Sequence, residues 1–345
     1  MSEKMLPIRD PILKTFPQQT NMMAILSMYE DFYPWFYSNF IQLKCSNRPY
    51  ALDLLIYPDN IQRVMPLVEY QCLTRRTLGQ WFPDVIGFII RCIDDDLYFH
   101  ATVNSYYISL YEYHYQKYHR FHEILIIGYD LDAKILYGAD FFHNGQYACK
   151  PIPFADFEAA YVSVDEQNNG RFDIAHSAST DLNNHLSQIE LMRFNPRSHW
   201  HTKVPYRLDI GNIVDLLGDY LHSSNTSRKY TVFENAADEN YGLSVYDWLI
   251  KHAESILSGS TPYCDVRSFH ILYEHKKCMV LRMKYLLGLK LEQFPELPMD
   301  SLIHVEANAL TIRNQAIKYS FSKDKKIIAK LISDLQEMAL VEKKL

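Results

Sequence analysis

The stretch HRFHEILIIGYDLDAKILYGADFF, residues 119–142, reads as two apolar strands around an acidic turn. The runs 122–129 and 134–141 are rich in β-branched and aromatic residues, and Asp130-Leu131-Asp132 between them has turn chemistry. A three-residue loop centred on Leu131 places His122 directly opposite Asp140, on one face of the hairpin. The Cβ atoms of such a pair lie ~4.5–5.5 Å apart, close enough for an imidazole N–H to meet a carboxylate. Both strands are apolar on both faces, so the hairpin is expected inside a sheet that is covered on both sides. There Asp140 would fix the tautomer of His122 and favour its charged form, as a general base and its orienting residue require. The plainer alternative is a strand-end histidine and a turn-forming aspartate with no shared role.

Outward from the hairpin, strands are expected at 85–93, 103–111 and 147–152. Thr20 and Asn21 are good cap residues for a helix from about residue 22 that ends before Pro34. Residues 52–82 read as mainly helical, broken near Pro58 and Pro66, and FADFEAAYVSV (154–164) as a short helix. Beyond about residue 170 the spacing turns helical. Segments 208–224 and 243–259 are amphipathic, and a long helix opening at Asp265 carries Phe269, Leu272, Met279, Val280, Met283 and Leu287 on one stripe. Two last helices are expected at about 301–320 and 323–342. The fold class is therefore α+β: residues 1–170 around a central antiparallel sheet, residues 171–345 mainly helical.

Composition narrows the function. A net charge of −6 over 345 residues, with no concentrated basic patch, argues against nucleic acid as a partner. The longest apolar runs are strand-sized, well short of the ~20 residues a bilayer demands, and the first residues do not read as an export signal. Six scattered cysteines without a CxxC pair then read as reduced thiols in a cytoplasm. His114, His119 and His122, and His199 with His201, lack the spacing of a metal-ligand set, and no phosphate-binding glycine loop occurs. The aromatic cluster from Phe32 to Phe40 reads as a core or a cleft edge.

HEILIIGYD (122–130) followed by YGADF (137–141) resembles the N-terminal domain of butirosin biosynthesis protein H, a branch of the papain-like cysteine acyltransferases and peptidases. The likeness extends more loosely over residues 20–165, where DDDLY (94–98) and SYYISLYEY (105–113) precede the histidine. It implies a papain-like N-terminal domain with His122 as base and Asp140 as its orienting residue. It also implies acyl or aminoacyl transfer in bacterial natural-product assembly, from a phosphopantetheine thioester on an acyl or peptidyl carrier protein to an amine or peptide-like substrate. No cofactor of the chain's own is expected. In such enzymes a cysteine opens the first helix, where the helix end lowers its pKa. The corresponding place, TNMMAIL, carries Met22 and Met23, and a thioether is no nucleophile. Three explanations stay open: Cys45 substitutes, His122 works without a covalent intermediate, or the chain binds a carrier protein or peptide without catalysis.

Overall fold

The hairpin forms as β6 (Phe121–Asp130) and β7 (Ile135–Phe141), near the middle of an antiparallel sheet. The Asp130 carboxylate accepts from the backbone N–H groups of Asp132 and Ala133, both at 2.9 Å, and Lys134 takes a left-handed φ of 54°. Four residues rather than three thus close the turn between Asp130 and its partner Ile135. A bulge at Ile127 shifts the register again, leaving Leu125 opposite Ala139. His122 is consequently displaced two residues along the strand from the position directly across from Asp140. The displacement is even, so the two side chains keep a common face. The computed structural model describes residues 2–48, 51–57, 64–164, 188–195, 206–229, 240–290 and 298–344.

Strand β5 (Tyr98–Asn104) flanks β6, and β8 (Tyr147–Pro153) flanks β7. Beyond β5 lie β9 (Gln188–Phe194) and then β4 (Val68–Thr74). Strand β1 (Glu3–Met5) pairs with β6 from Glu3 opposite Asp130 to Met5 opposite Gly128, on the edge that β5 leaves. A Cβ on Gly128 would stand 2.5 Å from the Lys4 carbonyl oxygen, so only glycine admits β1 this closely. These seven strands, the helices around them and a mostly helical C-terminal region make the mixed class that the residue patterns imply.

Four local expectations are corrected. Residues 85–93 form a helix, α4 (Val85–Asp94), rather than a strand. Its predecessors in the chain are α1 (Pro17–Leu26), α2 (Phe32–Asn39) and α3 (Arg75–Trp81). The Asp84 carboxylate caps α4 through the Gly87 N–H at 2.9 Å, and Val85, Ile89, Cys92 and Ile93 make its buried stripe. The strand expected at 103–111 stops at Asn104, after which the chain coils through the tyrosine-rich segment. The supposed helix at 52–82 contains β3 (Ala51–Tyr57), β4 and α3, with residues 58–63 outside the described ones. Helix α1 begins one and a half turns early, with Pro17 in its first turn, where a missing N–H costs nothing. Thr20 and Asn21 lie inside it, and Pro34 likewise sits harmlessly in the first turn of α2.

The chain divides into two units that are not consecutive halves: Met1–Glu30 with Gln62–Pro205, and Asp31–Ile61 with Tyr206–Leu345. A single cut near residue 170, itself outside the described residues, would assign Asp31–Ile61 to the wrong partner. The first unit holds the large sheet with α1, α3, α4 and α5 (Phe154–Val162). The second holds α2 and a small sheet in the order β10 (Asn240–Tyr241), β2 (Gln42–Arg48), β3. Its helices are α6 (Ile210–Leu221), α7 (Val245–Ser258), α8 (Val266–Gly288), α9 (Met299–Ser322) and α10 (Lys325–Glu342). Fully buried Arg282 of α8 donates to the carbonyls of Tyr37 and Phe40 at the end of α2, the first at 2.7 Å, and His275 meets the Ile41 carbonyl at 2.6 Å. Carbonyls that α2 leaves unpaired are thereby satisfied from α8. Lys276, also buried, bonds Glu342 and Tyr220, and Tyr246 donates to the same carboxylate at 2.7 Å. No helix among the described residues is long and apolar enough to cross a membrane.

Candidate active site around His122

His122 Nδ1 lies 2.6 Å from Asp140 Oδ2. The Asp140 side chain is wholly buried, whereas that of His122 keeps 19% of its surface exposed. A carboxylate only accepts, so His122 carries its proton on Nδ1 and presents Nε2 outward. Tyr111, buried in the coil after β5, donates its hydroxyl to the same carboxylate oxygen, and its ring lies 5.6 Å from the imidazole. Burial alone would push the imidazole down. The Asp140 charge and hydrogen bond overcome it and leave His122 above its ordinary value. The Tyr111 hydroxyl is held well above the usual phenol range by burial and the Asp140 charge, so it remains a donor.

His114 also packs against Tyr111, its ring nearly parallel at 6.2 Å. Its Nδ1 meets Ser105 Oγ at 2.9 Å, and that hydroxyl also donates to the Arg120 carbonyl at 2.8 Å. Burial, with Arg120 and His122 nearby, lowers His114 to about 4. It is a neutral imidazole at pH 7. His119, by contrast, bonds Asn104 at 2.9 Å and stacks on Tyr106. The described residues hold no group of three or more metal-ligating side chains, and His199 and His201 lie outside them.

The expected nucleophile positions contain no usable thiol. Met22 and Met23 are buried in the middle of α1, not at its start, where Pro17, Gln18 and Gln19 stand. Asn21 accepts from the Tyr147 hydroxyl at 2.8 Å. By the register, Tyr147 shares its face with Phe141, Ala139, Leu125 and His100, the face opposite to His122 and Asp140. Helix α1 is thus tied to the other side of the sheet, which departs from the arrangement the papain-like resemblance implies. Cys45 is built into β2 of the second unit, only 1% exposed, whereas a reactive thiolate needs access. Among the described residues His122 shares no hydrogen bond or electrostatic contact with a cysteine.

A second pair repeats the motif on the α1 face. His100 Nδ1 lies 2.7 Å from Glu190, which accepts from Tyr70 at 2.5 Å. His100 is only 4% exposed, which closes it to a substrate. Residue patterns pair His122 with Asp140 and weigh His114 only as a metal ligand; Tyr111 and Ser105 have no signal beyond the tyrosine-rich run, which reads equally well as strand. No family model matches the chain, and no curated protein matches it either.

Proposed function

We propose that this chain transfers an acyl or aminoacyl group from a carrier-protein thioester to an amine, with His122 as general base and no covalent cysteine intermediate. The observation that carries the reading is the 2.6 Å bond from a partly exposed His122 to a buried Asp140. Such a pair fixes the tautomer and raises the basicity of Nε2, which is what a positioned base needs. The amine nitrogen attacks the thioester carbon while one of its protons passes to His122 Nε2. The C–S bond then breaks, and the proton leaves on the thiolate of the phosphopantetheine arm. The thioester arrives already activated, so proximity and one base supply the chemistry. The carrier protein and the setting in bacterial assembly of peptide-like products rest on the family resemblance, and a cytoplasmic location on the scattered, unpaired pattern of the cysteines.

Intact mass of a thioester-loaded carrier, incubated with the chain and candidate amines, tests this. Loss of the acyl group with a matching amide is expected. His122→Gln should slow it ~10²–10⁴-fold and Cys45→Ser should leave it nearly unchanged. An inactive but folded Cys45→Ser chain, with acyl trapped on Cys45 in the parent, would refute the scheme. The buried methionines of α1 favour a second reading, a non-catalytic binder of carrier or peptide. That reading expects a stable complex with unchanged carrier mass.

A further inference from the structure

Two donors meet one oxygen at Asp140. His122 Nδ1 and the Tyr111 hydroxyl both bond Oδ2, while Oδ1, also buried, has no hydrogen-bond partner among the described residues. The pair His100–Glu190 is built otherwise: His100 bonds Oε2 and Tyr70 bonds Oε1. Neighbouring contacts hold Tyr111 in its place. Its ring packs on Phe142 with centroids 5.1 Å apart. The next two residues bond the turn after β7, Glu112 with His143 at 2.7 Å and Tyr113 with Asn144 at 3.2 Å. The tyrosine-rich coil thus delivers the hydroxyl to Asp140.

The geometry points to Tyr111 as a positioning residue that acts through Asp140 and limits the proton affinity of His122. Its catalytic meaning rests on the acyl-transfer reading above. An oxygen that already accepts one hydrogen bond offers less charge to a second, so the two donors on Oδ2 compete. The imidazolium draws on that oxygen more strongly than the neutral ring does, because its bond is charge-assisted. The Tyr111 bond therefore weakens when His122 takes a proton, and the hydroxyl favours the neutral ring. Burial and Arg120 act in the same sense, whereas Asp140 and, more weakly, Glu123 favour the charged ring. His114, on the same coil as Tyr111, is neutral at pH 7 and adds no charge. A general base works only while unprotonated, and a buried carboxylate beside it prolongs its hold on the proton. Tyr111 offsets part of that hold and keeps Nε2 usable closer to neutral pH.

Tyr111→Phe removes the hydroxyl and keeps the ring. In the full chain labelled with ¹⁵N-histidine, the His122 midpoint should rise by about half a pH unit in this variant, about a threefold gain in proton affinity. A hydrogen bond to a charged group is worth more than that, and only its shared part is released. Tyr70→Phe, which removes a phenol from the other pair, should leave His122 where it was. An unchanged midpoint in Tyr111→Phe, a lower one, or an equal rise in Tyr70→Phe overturns the inference. The unsubstituted chain gives a second readout, which stands even if Tyr111→Phe does not fold. With ¹³Cζ-labelled tyrosine, the Tyr111 signal should move upfield, as a weakening donor does, while His122 takes its proton; a signal that stays or moves downfield overturns the inference. With an acyl-pantetheine thioester and glycinamide, the ascending limb of kcat/KM against pH should move up with the midpoint in Tyr111→Phe, which loss of packing alone would not cause. If no amine is acylated, the transfer reading falls, and the two titrations still decide the role of Tyr111.

Discussion

Asp140 decides the charge of His122. Burial and Arg120 oppose the imidazolium, and the Asp140 carboxylate, helped by the smaller influence of Glu123, holds the ring above its ordinary value. In Asp140→Asn the main raising influence is lost while burial remains, so the His122 midpoint should fall, as histidine-resolved NMR titration would read. The ascending limb of kcat/KM against pH should move down with it, at a lower plateau. The stability consequence has a definite sign. A histidine raised in the folded chain contributes fully below about 6.5 and loses that contribution as pH rises through its folded value. Thermal unfolding should show this decline on the alkaline side of 6.5, and Asp140→Asn should abolish it. His114 acts in the opposite sense. Lowered to about 4, it takes its proton later in the folded than in the unfolded chain. Stability should fall as pH drops from about 6.5 toward 4, and His114→Gln should flatten that part of the profile.

At the level of elements, β1 depends on one missing methyl group. Gly128→Ala would drive a Cβ into the Lys4 carbonyl, and the obstacle is backbone, so no rotamer relieves it. A loss of ~1–3 kcal/mol in urea unfolding is expected, with the amides of Glu3–Met5 exchanging faster in the variant. An equal exchange rate in both proteins would show that β1 docks without this constraint. The same hairpin explains which parts of the fold are readable from residues alone. Two apolar runs around Asp130 leave few alternatives, and an even register displacement left the His122–Asp140 face intact. Val85–Asp94 misleads because Val, Ile and Phe dominate it, while its helical nature lies in the 85, 89, 92, 93 spacing and in Asp84. The rest of the site is illegible for another reason. Tyr111 reaches the pair from the coil after β5, with His114 and Ser105 bonded to each other beside it, and no periodicity records where a coil leads.

For the whole molecule, the tie between Asp31–Ile61 and the late helices is a matter of polar satisfaction as much as apolar packing. Arg282→Leu would leave the carbonyls of Tyr37 and Phe40 buried without donors, a loss of ~1–3 kcal/mol for each group. Denaturant titration should find the variant less stable by several kcal/mol; a change within error would mean that the carbonyls find other partners. The interleaving of the two units also sets a schedule. β2 and β3 leave the ribosome early, but α8, which they await, begins only at Val266. At about 5–20 residues per second that interval is roughly ten to forty seconds, during which the nascent hairpin has no final partner. Synthesis rate and holding chaperones should therefore govern the yield of this chain more strongly than its finished stability does, and slowing translation after Ile61 should lengthen the exposure.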